Sequence, residues 1–386
     1  MNDLAAFARR VSNAQRERNG FQARQRTIAG PIDVSAHVRV RDPHLIAVEF
    51  RSFANPLLDL EEQLFNGAEY TPDELKAMSF FVTERETTAF DPVSNVVLHR
   101  PGFAIPEPLP GFRALGAVGF LSNLTADFLL REETTDADRE RELRRIGIKP
   151  KAPVRSELLS VTSFPFRRGS LLVEERTLFP RRIEFVPSGE TLLASLLGPK
   201  SIVSIDYADV RQEAPEPAAF DFRPTEGTRV FYERSVSLGD VSDQSPFPCH
   251  LDPLVSKGYS PRDEGCRLAV DRDNGRGHLQ ATLSMRNPNG ETAAVTVRAG
   301  NYLSRNMSRR RAALAGGGEE VDLSGRPGRF LDRTANWPEA VAAPEHGLLE
   351  IGWEINGTHW FMLGEGIDRT QLVDLATDLV LVGSAG

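Results

Sequence analysis

Residues 21–50 decide the fold, and they read FQARQRTIAGPIDVSAHVRVRDPHLIAVEF. Apolar and polar residues alternate with period two in this stretch, and that period predicts three β-strands. The three predicted strands are residues 21–28, 32–40 and 45–50. Gly30-Pro31 and Asp42-Pro43 separate them, and such dipeptides mark turns. Because consecutive strands usually pair, the segment is predicted to be an antiparallel meander.

The alternation returns further along the chain, with an interruption in between. Further strands are predicted at residues 80–87, 93–99, 157–164, 170–177, 181–186 and 202–207. Residues 111–131 instead show helical spacing and predict a helix with a broad apolar stripe, and residues 136–146 predict a charged surface helix. The apolar stripe consists of Phe112, Leu115, Val118, Leu121, Leu124 and Phe128, broadened by Phe120 and Leu129. The expected class is therefore α+β, with one large antiparallel sheet and helices that cover one of its faces.

A polar stretch at residues 234–248 indicates a linker, and it divides the chain into domains 1–233 and 234–386. The second domain is expected to be a smaller α+β unit. Asn356-Gly357 predicts a two-residue type I′ hairpin that sets Trp353 opposite Trp360 and Glu354 opposite His359. Asp368 and Gln371 have the spacing of a capping box at the start of a final helix.

Composition excludes several classes of protein. The chain has 386 residues, is 40% hydrophobic and 26% charged, and carries a net charge of −8, which is the wrong sign for a chain that coats nucleic acid. Its best apolar run, residues 114–126, is 13 residues long, whereas a membrane span needs about 20. Charged residues interrupt the N-terminal segment, so the expectation is either a cytoplasmic protein or one from which a leader was removed.

No catalytic or metal-binding constellation emerges. No two of the seven histidines have the i,i+4 spacing that places two imidazoles on one metal, and nucleophile elbows and phosphate-binding loops are missing. We therefore expect no enzyme activity, metal or cofactor. Cys249 and Cys266 are candidates for a disulfide, or for two reduced thiols. Basic clusters such as Arg309–Arg311 are predicted to be solvated, with contact to a protein or an anionic headgroup as the alternative.

Several motifs in residues 4–232 resemble the bacterial lipoprotein-carrier superfamily, the group of LolA, LolB and RseB. An N-terminal helix leads into early strands joined by the Asp42-Pro43 turn, and an aromatic-Asp-Pro turn follows at Phe90-Asp91-Pro92. Residues 180–185, PRRIEF, resemble the late strand of that group, and residues 205–210 and 220–230 resemble its closing segment. Residues 348–381 look like a small domain of bacterial envelope and regulator proteins, and RseB-like proteins also append a smaller domain.

The resemblance implies an unclosed β-barrel with a helical lid, a non-catalytic role, and a location in the periplasm or outside the cell. The expected ligand is hydrophobic: a lipid, an acyl chain or a lipoprotein. The ligand-binding residues are expected to be Phe21, Val48, Phe50, Phe112, Leu115, Phe120, Leu121, Leu124 and Phe128. The alternative is an RseB-like regulator that contacts an anti-sigma factor or another envelope protein. No nucleic acid is expected as a partner.

Overall fold

The structure is a computed structural model. It describes residues 2–41, 45–54, 71–83, 85–102, 124–151, 166–187, 202–220, 222, 224–286, 292–334 and 348–384. The chain divides into two compact units. Unit 1 contains the described residues of 1–56, 72–93 and 102–223, and unit 2 contains those of 57–71, 94–101 and 224–386.

The strands in chain order are β1 (Gly20–Ala29), β2 (Ile32–Arg41), β3 (Leu45–Ala54), β4 (Ser79–Val82), β5 (Glu86–Asp91), β6 (Val96–Pro101), β7 (Phe128–Glu132), β8 (Leu143–Pro150), β9 (Phe166–Glu174), β10 (Pro180–Pro187), β11 (Val203–Arg211), β12 (Arg229–Val236), β13 (Ser260–Asp271), β14 (Arg276–Arg286), β15 (Thr292–Gly300), β16 (Glu319–Asp322), β17 (Pro327–Asp332), β18 (Leu348–Ile355) and β19 (Thr358–Glu365). The α-helices are α1 (Asn2–Glu17), α2 (Pro72–Ala77), α3 (Leu124–Asp127), α4 (Asp136–Arg139), α5 (Val241–Gln244), α6 (Asp252–Ser256), α7 (Arg305–Gly317) and α8 (Arg369–Ser384). Two short 3₁₀ turns lie at Pro217–Phe220 and Leu238–Asp240.

The strands of unit 1 pair in the order β5-β4-β3-β2-β1-β11-β10-β9-β8-β7, and every described pairing between them is antiparallel. The meander predicted from residues 21–50 is therefore confirmed as β1, β2 and β3. The expected α+β class, with a large, unclosed and mainly antiparallel sheet, is also confirmed.

Two helix predictions need correction. Of the helix predicted over residues 111–131, residues 111–123 lie outside the described part of the chain, and α3 supplies one helical turn. From Phe128 onward the chain is strand β7, because Phe128 to Glu132 pair in antiparallel register with Pro150 to Ile146 of β8. The helix predicted over residues 136–146 is also too long: α4 ends at Arg139, and Ile146 and Ile148 are buried in β8.

The strands of unit 2 pair in the order β6-β12-β13-β14-β15-β19-β18-β17-β16, with β6 and β12 parallel and the other pairs antiparallel. The hairpin at Asn356-Gly357 has the predicted register, and the indole rings of Trp353 and Trp360 stack with centroids 5.7 Å apart. The cap of α8 is also confirmed, since Gln371 N–H donates to Asp368 Oδ1 over 2.8 Å and Asp368 N–H donates to Gln371 Oε1 over 3.0 Å.

Within unit 2, helix α7 packs against β17 and β18 around a buried group of charges. Arg310 Nη1 donates to Glu350 Oε1 over 2.6 Å, and Arg333 bonds to the other oxygen of Glu350. The three side chains are 4%, 1% and 0% exposed for Arg310, Arg333 and Glu350 respectively. The prediction that the Arg309–Arg311 cluster is solvated is therefore wrong for Arg310. Helical phase turns this residue toward β18, where a glutamate is available.

The predicted domain division at residues 233 and 234 falls inside strand β12, which lies in unit 2. In the described part of the chain, no helix combines the length and the apolar character that a membrane crossing requires.

Candidate functional site

Alternation along the first strands of unit 1 builds one mainly apolar side of the sheet, here called the apolar face. In β2 every second residue from Ile32 to Val40 is buried. The register sets Phe21 beside Val40, and Val38 beside Val48. Ala36 lies beside Phe50 in the same way. Three of the predicted ligand-binding residues, from β1 and β3, therefore share this face.

Three aromatic clusters lie along the apolar face. Phe21 meets Phe179 and Tyr207 edge to face, with ring centroids 5.2 and 6.2 Å away. Burial raises the pKa of the Tyr207 hydroxyl above its ordinary range. The second cluster is Phe50 with Phe53 and Phe80, at 5.1 and 5.8 Å, and the third is Phe166 with Phe128 and Phe185, at 6.2 and 4.7 Å.

The structure places five of the nine predicted ligand-binding residues, and all five are buried. Phe21 and Val48 are each 1% exposed, Phe50 is 5%, Leu124 is 0% and Phe128 is 2%. Leu124 belongs to α3, which contacts α1 and β7. Phe128 begins β7 and lies on the apolar face. The other four, Phe112, Leu115, Phe120 and Leu121, lie outside the described residues.

Two polar side chains interrupt the apolar face near its middle, and neither was predicted from the sequence. Gln25 and Thr27 of β1 are 4% and 1% exposed. The amide nitrogen of Gln25 lies 3.5 Å from Thr27 Oγ1, and its amide oxygen has no hydrogen-bond partner. The signal was present in the sequence, because both residues have the same phase in β1 as Phe21 and Ala23.

The opposite side of the sheet, here called the charged face, carries paired charges. Arg26 Nε donates to Asp33 Oδ1 over 2.8 Å, and this bond lowers the pKa of the Asp33 carboxyl. Arg39 forms an ion pair with Glu49 on the neighbouring strand. His37 lies among these cations, and its pKa is lowered first by burial and then by the charges of Arg39, Arg51 and Arg211.

The described residues contain no group of three histidine, cysteine, aspartate or glutamate side chains arranged to hold a metal. Cys249 and Cys266 are free thiols in the structure and belong to the buried apolar core of unit 2. Burial raises the pKa of the Cys266 thiol to about 11 and raises that of Cys249 further. The disulfide between them stays a prediction.

No protein-family model matches the chain, and no curated protein matches it. Solved structures with some similarity include the Pseudomonas aeruginosa MucA/MucB complex, with 10% identity, a TM-score of 0.30 and coverage of 97% of both chains. A DUF1329 family protein from Desulfovibrio piger has 12% identity and a TM-score of 0.28, over 57% of this chain and 96% of its own. An uncharacterised conserved protein from Thermus thermophilus has 12% identity and a TM-score of 0.32, over 60% of this chain and 98% of its own.

TM-scores near 0.3 are too low to support a conclusion about function, which must come from the geometry of unit 1.

Proposed function

We propose that unit 1 binds a hydrophobic ligand, such as the acyl chain of a lipid or lipoprotein, against its apolar face, outside the cytoplasm and without catalysis. A mainly apolar side across ten described strands offers the kind of surface that apolar ligands need. Aromatic clusters along it provide large, rigid contact surfaces.

The observation that carries the proposal is the unsatisfied amide oxygen of Gln25. In a core that serves only to stabilise the fold, a buried acceptor without a donor costs about 1–3 kcal/mol. Binding sites, by contrast, are mainly apolar and contain a few polar groups that orient the ligand. A hydroxyl or amide N–H of a ligand would satisfy the Gln25 oxygen, and the surrounding aromatic rings would contact its apolar part.

Four further residues of the proposed ligand-binding set come from the sequence alone. Phe112, Leu115, Phe120 and Leu121 carry the helical stripe that was predicted to cover the ligand. With Phe21, Val48, Phe50, Leu124 and Phe128, they form the proposed ligand-binding set.

Native mass spectrometry of freshly purified protein, followed by solvent extraction and lipid analysis, tests the proposal. We expect excess mass that dissociates as fatty acid or phospholipid. A clean apoprotein mass that stays unchanged after incubation with palmitate and with phosphatidylglycerol vesicles would contradict the proposal. That outcome would favour the regulatory alternative, in which the chain contacts an anti-sigma factor or another envelope protein.

The variant Gln25→Met tests whether Gln25 binds the ligand or is only an unsatisfied polar group in the core. Methionine keeps the side-chain length and removes the unsatisfied amide, so we expect the unliganded protein to gain about 1 kcal/mol of stability in urea unfolding. We also expect the purified variant to contain at least fivefold less bound lipid than the unchanged protein. Gln22→Met is the control, because Gln22 lies on the same strand with the opposite phase. Unchanged ligand content in Gln25→Met would show that Gln25 does not orient the ligand.

A further inference from the structure

The charged face of unit 1 also contains a cavity, at the β7 end of the sheet. It has a volume of about 430 Å³ and lies across β7, β8, β9 and β10. The side chains that line it include Leu129, Arg131, Lys149, Arg168, Glu184 and Ile202. Because it is on the side of the sheet opposite the apolar face, it is separate from the ligand-binding set proposed above.

Strand register explains the shape of this cavity. Arg131 pairs with Gly147 of β8, and Gly147 pairs with Ser170 of β9. Because glycine has no side chain and serine has a small one, these two positions form the base of the cavity. Larger side chains stand in the next row across the strands, where Leu129 pairs with Lys149 and Arg168 pairs with Val186.

Two cations lie side by side in that row. Ile148 pairs with Gly169, so Lys149 and Arg168 occupy the next position on the two antiparallel strands, and both line the cavity. Like charges in neighbouring cross-strand positions are destabilising. A carboxylate between them would relieve the repulsion, yet among the described residues neither cation, nor Arg131, has an ion-pair partner.

The carboxylates that line the cavity do not neutralise this pair. Glu184 accepts a hydrogen bond from Ser170 Oγ over 2.9 Å and lies within 3.5 Å of Arg145 and 3.8 Å of Arg182. The carboxylate of Glu133 lies over Gly147, where an added Cβ would meet its Oε1. Among the described residues, Lys149 and Arg168 therefore line the cavity without a counter-charge.

Exposed apolar side chains border the same cavity. Leu129 is 56% exposed and Ile202 is 50% exposed, and both are among the large hydrophobic residues that unit 1 presents to solvent. An anion alone would gain nothing from these two side chains. A molecule that joins an anionic head to an apolar tail would contact both the cations and the apolar border.

We propose that this cavity binds an anionic amphiphile, with its phosphate or carboxylate head between Lys149 and Arg168 and its alkyl part along Leu129 and Ile202. The cations supply charge-assisted hydrogen bonds to the head. The cavity volume lies within the range of about 300–1,000 Å³ that is usual for small-molecule sites. The site stands independently of ligand binding at the apolar face.

Isothermal titration of the full chain tests this proposal. The titrants are octyl phosphate, octanoate and octyl glucoside, each below its critical micelle concentration, and inorganic phosphate. We expect octyl phosphate or octanoate to bind, and the stronger of the two identifies the preferred head. We expect the double variant Lys149→Gln/Arg168→Gln to bind it at least tenfold more weakly. Inorganic phosphate alone should bind much more weakly than octyl phosphate.

The control is Arg141→Gln/Arg176→Gln, which removes the same charge from exposed positions outside the cavity. An equal loss of affinity in this control would overturn the proposal, since it would reveal a general charge effect. Equal binding of neutral octyl glucoside, unaffected by the cavity variant, would also overturn it while remaining compatible with ligand binding at the apolar face. If inorganic phosphate bound as tightly as octyl phosphate, the proposed contact of the alkyl part with Leu129 and Ile202 would be ruled out.

Discussion

The carboxylate of Asp138 joins helix α4 to strand β8 in unit 1 through hydrogen bonds. It is 7% exposed at the start of α4, where its Oδ2 accepts hydrogen bonds from Thr135 N–H over 3.0 Å and from Thr135 Oγ1 over 2.8 Å. Arg145 of β8 donates to both of its oxygens over 3.3 Å. Burial alone raises the pKa of this carboxyl, but the bonds from Arg145 and Thr135 prevail and lower it to about 2.

The ionised form of Asp138 therefore stabilises unit 1, and the pH range of that effect follows from the two pKa values. Its contribution is fully present above the unfolded pKa of about 3.9 and is lost as the pH falls through the folded value. We expect Asp138→Asn to lower the free energy of unfolding at pH 7 by about 1 kcal/mol, after allowance for solvent screening. The difference from the unchanged protein should shrink between pH 4 and pH 2. Urea unfolding across that range measures it, with the exposed Asp136→Asn as control; a difference that does not depend on pH would contradict the assignment.

At the scale of the element, the β18–β19 hairpin depends on the backbone of its two turn residues. Asn356 and Gly357 have φ values of 50° and 75°, as a type I′ turn requires. A Cβ at Gly357 meets no neighbouring atom, so a substitution there acts through the backbone alone.

We expect Gly357→Ala to destabilise unit 2 by about 1 kcal/mol, because alanine is strained at positive φ. Gly316→Ala is the matched control. Gly316 also has open space around it but lies in α7, where alanine is the better helix former and should leave stability unchanged or raise it. Thermal unfolding measures both, and equal effects of the two variants would show that the turn does not depend on positive φ.

Elements were predictable where a local signal matched tertiary pairing. The hairpin at Asn356-Gly357 and the strands of residues 21–50 needed only turn chemistry and period two, and both were confirmed. The apolar run that begins at Phe128 fits a helix as well as a strand, and pairing with β8 decides between them. Pairing between segments far apart in sequence, such as β1 with β11, has no local signal at all. Alternation within a strand is a local signal, so it predicted that Phe21, Val48 and Phe50 share the apolar side. The neighbours of Lys149 lie on other strands and became visible only through register.

At the scale of the whole molecule, the two cysteines report on the integrity of unit 2. Both are buried, at 1% exposure for Cys249 and 0% for Cys266, in the core that α8 covers. Their raised pKa values leave almost no thiolate at pH 8, and the thiolate is the reactive form.

We expect both thiols to react with iodoacetamide at least a hundredfold more slowly in the native protein than in denaturant without reductant, where two thiols per chain should be found. Glutathione in the same buffers provides the reference rate. Fast reaction in the native state would show that the core of unit 2 is open. Zero reactive thiols in denaturant before reduction, with two after it, would instead establish the predicted disulfide.

The buried charges around Glu350 bear on how unit 2 assembles. Arg310 comes from α7, Arg333 follows β17, and Glu350 lies in β18, so each arginine meets its counter-charge only when β18 is in place. A partly assembled form would bury a charge without its counter-charge, which costs several kcal/mol. We therefore expect forms in which α7 or β17 has docked without β18 to be sparsely populated. These three segments should open and close as one cooperative step, and their amide hydrogens should exchange with solvent at a shared rate.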